Sequence, residues 1–312
     1  CELTAMTRLV VVTDPAQDAD SPLLIHIRNV YSTTGLFRIG AEEGATNQNI
    51  QNLLIDVRDS IFDSPADVFS IKTTNNNLPV ADPVVNVTIV ATNVTVLGTS
   101  YDVFSIMSAS DVNSSRIVIS DSTIHTKSRV GVVVATGIHN VSVESLGTNT
   151  IEVAGNSDLK GVGAFGFIHS GFKTTSSAAI VFCITDSHAS IFGDGTSIVV
   201  QGERATVIAG IAFTLGTAVS TSLFKIQARG LQLRIEGNNL NLIATGAVDT
   251  AAVGGISIAT NSFANFISLA DSQFSVSGDN IKLYATSIGP QAAAFTVLGT
   301  AQFSSSSSVA TS

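Results

Sequence analysis

Apolar and polar residues alternate along much of this chain from residue 50 onward. The stretch VVNVTIVATNVTVLG, which begins at Val84, alternates almost without interruption, and SRIVISDSTIHT and TNTIEVAG continue the pattern. A period of two residues is typical of a β-strand with one buried face. No segment keeps the apolar spacing of an α-helix over successive turns, so the pattern predicts an all-β protein.

The C-terminal half repeats one pattern three times. The copies read GDGTSIVVQG from Gly193, GNNLNLIATG from Gly237 and GDNIKLYATS from Gly278, at nearly equal intervals. A fixed period of about 42 residues is typical of solenoids, propellers and other repeat arrays. Residues that recur with the period are therefore expected to belong to the scaffold rather than to a catalytic site.

An acidic residue recurs at the end of several strands. Asp-Ser pairs begin at 59, 121, 186 and 271, and Glu144-Ser145 and Arg229-Gly230 occupy what look like equivalent positions. Positions 144, 186, 229 and 271 are evenly spaced, and the earlier gaps, from 59 to 121 and from 121 to 144, are near multiples of half that spacing. The repeat is therefore expected to be either two short coils or one wide coil.

Three features resemble pectate-lyase-like right-handed parallel β-helices and the surface or adhesin proteins built on that fold. They are the NVTIVATNVTV alternation, the Gly-Asn corner at Gly237, and the VGGI run from Val253. The resemblance implies an all-β, right-handed parallel β-helix (a β-solenoid) with a repeat of about 42 residues, and it carries no catalytic residue. A β-propeller, whose blades have a similar length, and a pair of β-sandwiches are the alternatives.

The pattern divides the chain into three parts. Residues 1–49 do not fit the repeat and are predicted to be an N-terminal cap or a subunit-docking segment, because terminal units of repeat proteins are atypical. Residues 50–303 are predicted to be the solenoid. Residues 304–312 are rich in serine and are predicted to be a flexible tail.

Composition narrows the function classes. Only 12% of the residues are charged, the net charge is −9 and no basic cluster occurs, so no nucleic-acid partner is expected. No apolar run approaches the length of about 18 residues that crosses a bilayer, so no transmembrane segment is expected. The chain has no Trp and only 3 Tyr, whereas sugar-cleaving β-helices usually line their groove with these residues.

Two cysteines and four sequons are candidate modification sites. Cys1 resembles the first residue of a processed secreted protein or lipoprotein, so it is a candidate for lipidation or for a disulfide. Cys183 lies in the apolar run VFCI and is predicted to be buried. The Asn-X-Ser/Thr sequons suit a secreted protein, and their candidate N-glycosylation sites are Asn86, Asn93, Asn113 and Asn140.

No catalytic, cofactor-binding or metal-binding residue is predicted. The recurring acids could bind calcium if they stacked in register, but Asp-Ser is also common turn chemistry, and the turn is the favoured interpretation. The five histidines show no ligand spacing, and no G-x-S-x-G motif occurs.

These features predict a secreted or cell-surface structural protein, such as an adhesin stalk, a sheath or a filament subunit, without catalytic activity. Its expected partners are further copies of itself or glycans of a host or cell surface. One alternative is a carbohydrate-active β-helix enzyme (a polysaccharide lyase or glycosidase) or a lectin. The other alternative is a segment of a viral fibre or tailspike.

Overall fold

The protein is described by a computed structural model, which covers most of the chain in short consecutive segments. The described residues are 2–3, 22–33, 37–40, 50–63, 67–73, 83–97, 102–108, 110–127, 129–134, 136–154, 163–170, 179–202, 205–214, 223–246, 250–260, 265–287, 299–302 and 307–311. Within these residues no helix is long and apolar enough to cross a membrane.

Strands make up most of the described residues, which contain no helix. In chain order they are β1 (Glu2–Leu3), β2 (Leu23–Arg28), β3 (Tyr31–Ser32), β4 (Phe37–Gly40), β5 (Ile50–Asp63), β6 (Val68–Lys72), β7 (Val84–Leu97), β8 (Asp102–Ser108), β9 (Val112–Asn113), β10 (Arg116–Ser120), β11 (Thr123–Thr126), β12 (Arg129–Val134), β13 (Gly137–His139), β14 (Ser142–Leu146), β15 (Thr150–Val153), β16 (Gly163–Ser170), β17 (Ala179–Thr185), β18 (His188–Phe192), β19 (Ser197–Gly202), β20 (Ala205–Thr214), β21 (Leu223–Arg229), β22 (Gln232–Glu236), β23 (Asn241–Gly246), β24 (Thr250–Val253), β25 (Ile256–Thr260), β26 (Asn265–Ala270), β27 (Gln273–Ser277), β28 (Lys282–Ser287), β29 (Gly299–Gln302) and β30 (Ser307–Thr311).

The strands form two sheets in which every pairing among the described residues is parallel. The first sheet has 21 strands, and the second has nine, from β4 to β29. Along the first sheet, β2, β5, β7, β10, β14, β18, β22 and β27 each lie on the preceding one in register. This winding defines a parallel β-solenoid. The propeller and sandwich alternatives are excluded, because both are built from antiparallel strands.

The length of one coil changes along the chain. In the first half, hydrogen-bonded pairs that join adjacent coils are 34 and 26 residues apart in Asn86–Asn52 and Asn140–Ser114. In the second half, the corresponding separations are 46 and 41 residues in Val141–Ser187 and Asp279–Asn238. The repeat of about 42 residues, a length typical of solenoid repeats, is therefore one wide coil, and it applies to the C-terminal half. The smaller unit of half that length does not correspond to a coil.

The parallel ladder extends beyond both predicted boundaries of the solenoid. On the N-terminal side β2 and β3 pair with β5, so residues of the predicted cap segment are part of the winding. On the C-terminal side Ser307–Thr311 forms β30, which pairs with β26. A strand thus occupies most of the segment for which the serine-rich composition predicted a flexible tail.

The core consists of columns of similar apolar side chains. One inward position of the first sheet is occupied on successive coils by Ile25, Ile55, Ile89, Ile117, Val143, Ala189, Leu233 and Phe274. The six middle members are at most 1% exposed. Burying an aliphatic side chain of this size stabilises the fold by about 1.5–3 kcal/mol, so each column favours the stacked arrangement over its whole length.

Two corners of the coil are held by left-handed backbone. The first corner comprises Asn52, Asn86, Ser114, Asn140, Asp186, Gly230 and Asp271, and the second comprises Asn29, Asp59, Asn93, Asp121, Gly147, Gly193, Gly237 and Gly278. All of them have positive φ. Gly, Asn and Asp tolerate this conformation better than other residues, which is why they recur with the period.

The second sheet is buried on both faces. Its inward residues join the core, and outward residues of successive strands, including Val133, Ile168, Val207 and Ala212, are also fully buried. Strands buried on both faces are expected to be apolar throughout. This explains why runs such as VIAGIAF show no alternation.

Candidate functional site

The four Asp-Ser pairs lie at corners of the coil, but not in a single column. Asp59 and Asp121 belong to the second corner, whereas Asp186 and Asp271 belong to the first, and their φ angles lie between 47° and 51°. Glu144 lies in the middle of β14 and is not equivalent to them. No cluster of three or more His, Cys, Asp or Glu residues in the described part of the chain could hold a metal ion. The left-handed backbone of the four aspartates agrees with the turn interpretation, and the proposed equivalence of Glu144 is wrong.

The serine of each pair closes the corner through its hydroxyl group. Ser60 Oγ donates to the carbonyl oxygen of Arg58 at 2.7 Å and accepts from the backbone N–H of Val30, on the preceding coil, at 3.1 Å. Ser122 and Ser187 make the same two kinds of hydrogen bond. These hydroxyls satisfy backbone groups that the sharp corner removes from the ladder.

The sequons lie at the corners or beside them. Asn86 and Asn140 occupy the first corner, Asn93 occupies the second, and Asn113 ends β9 one residue before the first corner. The first three are exposed and Asn113 is half-buried. The structure thus gives Asn86, Asn93 and Asn140 a conformational role in the scaffold, and the glycosylation of all four asparagines stays a prediction.

Three of these asparagines also link neighbouring coils through their side chains. Asn140 donates from Nδ2 to Ser114 Oγ at 3.5 Å. Asn86 Nδ2 donates to Asn52 Oδ1 at 2.8 Å, and Asn93 Nδ2 donates to Asp59 Oδ1 at 2.7 Å. Amide ladders of this kind satisfy side chains that the register places on top of each other.

The cysteine predictions have different outcomes. Cys1 lies outside the described residues, so its lipidation or disulfide bonding stays a prediction. Cys183 is a free thiol on the outward side of β17, between the buried Phe182 and Ile184. It is half-buried rather than buried, so the prediction of a core position is wrong. The outward position follows from the alternation along the strand.

The outer face of the first sheet carries a cluster of three polar side chains that the sequence did not reveal. It consists of Arg116, Glu144 and His188 and is called the Arg–Glu–His cluster. Arg116 donates from Nε to Glu144 Oε1 at 2.9 Å and from Nη2 to Oε2 at 2.7 Å. His188 Nε2 lies 3.2 Å from Glu144 Oε1. The three residues lie on successive coils, β10, β14 and β18, and both carboxylate oxygens are occupied.

The Glu144 carboxylate is held in its ionised form. Burial raises its pKa, but hydrogen bonds with His188, Arg116 and Ser142, together with the positive charge of Arg116, outweigh this effect and lower the pKa to about 2. A general acid needs a proton to donate near neutral pH. The geometry therefore gives Glu144 the role of an ionic link between coils.

Histidine–carboxylate pairs recur across the coils. The pairs His26–Asp56, His125–Glu152 and His188–Glu144 have N···O distances of 3.0 to 3.2 Å. Their members are 27 to 44 residues apart in the chain, so no local motif marks them. The signal that could have found them is coil register, which requires the coil lengths to be known.

A buried ionic network lies on the outward side of the second sheet: Asp67, Asp102 and Arg129 lie where β6, β8 and β12 begin, and Lys72 reaches the two aspartates from the last position of β6. Lys72 Nζ lies 2.7 Å from Asp67 Oδ2 and 2.9 Å from Asp102 Oδ2, and Arg129 Nε lies 2.7 Å from Asp102 Oδ1. Asp102 and Arg129 are at most 2% exposed. Burial raises the pKa of Asp102, but the charges of Arg129 and Lys72 outweigh it and keep the pKa well below its usual range. The four charges balance, which makes their burial tolerable.

An open groove of about 430 Å³ runs along the second corner. Its floor is the glycines of the last three coils, and its walls include Phe192, Asp194, Glu236 and Asn238. Asp194 Oδ1 accepts from the Asn238 N–H at 2.7 Å, so part of the polar wall is already used to join coils.

Both ends of the winding leave core positions incompletely covered. Ile25 and Ile27 in β2, and Phe274 and Val276 in β27, point inward but are only partly buried. Among the described residues, β2 pairs only with β5, β27 only with β22, and β28 only with β23. Each end therefore presents a backbone edge together with apolar side chains.

Comparisons with known proteins identify no family. No family model, no curated protein and no solved structure matches this chain. What defines the protein is its architecture: a parallel β-solenoid with two left-handed corners and stacked apolar columns.

Proposed function

We propose that this protein is a non-catalytic structural protein of the cell surface or extracellular space, which assembles end to end into a stalk, sheath or filament. The observation that carries the proposal is the uncovered edge of β2 at one end and of β27 and β28 at the other, among the described residues. The rest of each end coil is partly covered, because β1 pairs with β3 and β30 pairs with β26. The inward residues of β2 and β27 are partly exposed, whereas the same column is at most 1% exposed in the middle of the solenoid.

A second copy of the same chain is the occupant that fits these ends. A parallel coil presents on one edge the N–H and C=O groups that complement its opposite edge, as each internal pair shows. Phe274 and Val276 occupy the same two inward columns as Ile25 and Ile27. A copy whose β2 lies on β27 therefore continues both the ladder and the apolar columns.

The outer surface is consistent with a mechanical role. Adjacent coils are joined by side-chain hydrogen bonds and ion pairs, including the Arg–Glu–His cluster and the Asn86–Asn52 bond. These links connect adjacent coils along the axis of the solenoid, so they must break before two coils can separate, and they stabilise the shaft against local opening.

Assembly is tested by sedimentation velocity and electron microscopy across a range of protein concentrations. We expect the unmodified protein to form linear oligomers, and Val276→Asp to disperse them, because a charge at an inward end position cannot be buried unpaired. Ser275→Asp is the matched control: it adds the same charge to the outward side of the same strand and should leave the oligomers intact.

Circular dichroism shows whether both variants keep their β structure. Dispersed monomers of the unmodified protein at every concentration would refute end-to-end assembly. So would oligomers of folded Val276→Asp that are as long as those of the control.

A further inference from the structure

Arg234 differs from the other arginines whose side chains are described. Five of these lie within 4.0 Å of a carboxylate oxygen: Arg28 and Arg58 beside Asp56, Arg116 beside Glu144, Arg129 beside Asp102, and Arg229 beside Asp271. Among the described residues Arg234 has no such partner. In a chain of net charge −9, a guanidinium group without a carboxylate partner is unusual.

Two polar side-chain atoms on neighbouring strands, one of them in Arg234, also lack a hydrogen-bond partner in the part of the chain that the structure describes. The Nε atom of Arg234 and the Oγ atom of Ser190 are both buried and have no hydrogen-bond partner within the described structure. The two residues are ladder partners on β18 and β22, and Ser190 is 0% exposed. Arg234 Nη2 donates to Gln273 Oε1 at 2.9 Å, which holds the far end of the side chain on the next coil.

The nearby carboxylates do not compensate the charge of Arg234. Glu144 precedes Ser190 in the same outward column, but its two oxygens are occupied by Arg116 and His188. Glu236 lies two residues further along β22 and is exposed, yet it makes no ion pair with Arg234 within the described structure. The guanidinium group is thus available to an acidic group from outside the chain.

We propose that Arg234 and Ser190 form a binding site for an oxyanion group, either a carboxylate or a sulfate. The Nε–H of Arg234 and the hydroxyl of Ser190 are the donors, and the planar guanidinium group suits the two oxygens of such a ligand. Arg234 is itself partly exposed on the outer face of the first sheet, so an oxyanion reaches its guanidinium group from solvent. Binding requires the arginine side chain to shift, so that its buried Nε–H and the buried Ser190 hydroxyl both become accessible to the ligand. The group is carried by a free inorganic ion or by an acidic sugar.

Binding is measured by isothermal titration calorimetry with sodium sulfate and sodium glucuronate, each against sodium chloride at equal ionic strength. We expect the unmodified protein to bind at least one of the two anions. Arg234→Gln should bind that anion with an affinity lower by a factor of about ten or more, as loss of a charge-assisted hydrogen bond implies. Arg229→Gln is the matched control, because it removes the same charge from an exposed arginine on the adjacent strand and should bind as the unmodified protein does.

Ser190→Ala separates binding from folding. Since its hydroxyl has no partner in the free protein, we expect its thermal midpoint to equal or exceed that of the unmodified protein, while anion binding weakens. Binding of sulfate alone would identify a free-ion site, and binding of glucuronate alone an acidic-sugar site. The proposal is overturned if neither anion binds more than chloride does, or if folded Arg234→Gln binds as well as Arg229→Gln.

Discussion

Single residues at the corners show how much local chemistry specifies. Asp59 and Asp186 were predicted from turn chemistry alone, and each adopts the left-handed conformation at its corner. Glu144 was placed with them by counting residues, which assumes coils of constant length. Hydrogen-bonded corner partners are 26 residues apart on the coils of β10 and β14, but 46 residues apart on the coils of β14 and β18. Counting residues therefore places Glu144 at a corner wrongly, and this residue lies within a strand.

The buried ionic network gives a prediction at the same scale. Asp102→Asn leaves Arg129 and Lys72 with a single carboxylate, that of Asp67, in a site almost closed to water. Breaking a buried ion pair by removing one partner typically costs about 3–5 kcal/mol. We expect the free energy of unfolding, measured by denaturant titration, to fall by that amount.

The exposed pair of Asp271 and Arg229 provides the control for this measurement. Both side chains are about three-quarters exposed, and their closest N···O distance is 3.4 Å. Asp271→Asn keeps a residue that tolerates the left-handed conformation, so its expected cost is at most about 1 kcal/mol. Equal losses in the two variants would show that the network contributes no more than a surface pair.

At the scale of elements, the alternating pattern of apolar and polar residues was sufficient to predict the strands of the first sheet but not those of the second. Strands such as β7 have one face in the core and one in solvent, so the period of two is visible in the sequence. Strands such as β20 are apolar on both faces because both are buried, and periodicity alone does not define them. The cross-coil ion pairs were missed for a related reason: they depend on which strands are neighbours.

The glycines of the second corner provide a prediction about packing between coils. A Cβ atom on Gly237 would collide with the backbone carbonyl of Gly193 on the preceding coil, at a φ of +148°. The two coils would have to separate locally, so Gly237→Ala should lower the free energy of unfolding by about 3 kcal/mol or more. Gly195→Ala is the control, since its Cβ would meet only Thr148 Cγ2 at 3.6 Å.

For that control only the left-handed conformation, with a φ of +71°, is unfavourable, and the expected loss is about 1–2 kcal/mol. The comparison is made by thermal or denaturant unfolding of both variants. A loss at Gly237 no larger than that at Gly195 would mean that the coils are not in close backbone contact at this corner.

At the scale of the whole molecule, the repeat predicted the architecture because every coil meets the same packing requirement. Like residues recur in columns, and the glycine copies at 193, 237 and 278 do lie on top of one another. What the repeat could not supply is the number of residues in each coil, which differs between the two halves. A solenoid tolerates this variation, because each coil contacts only its neighbours.

At this scale we predict that the folding stability of the protein decreases in acid. The carboxyl pKa values of both Glu144 and Asp56 are lowered in the folded state, that of Glu144 from 4.5 to about 2. A lowered pKa means that the folded state binds the proton less readily than the unfolded state does. The stabilisation is therefore fully present above pH 4.5 and is lost as the pH falls toward 2.

Glu144→Gln tests this linkage through the thermal midpoint measured from pH 7 to pH 2. The unmodified protein should be more stable than the variant at pH 7, and the difference should shrink below pH 4.5 and be mostly lost near pH 2, where about half of the Glu144 carboxyl groups are protonated in the folded state. Glu236→Gln, which changes an exposed carboxylate without an ion pair in the described structure, is the matched control for the change of side chain. A difference between Glu144→Gln and the unmodified protein that is independent of pH would show that the side chain stabilises the coils by packing, and that its charge is not what links them.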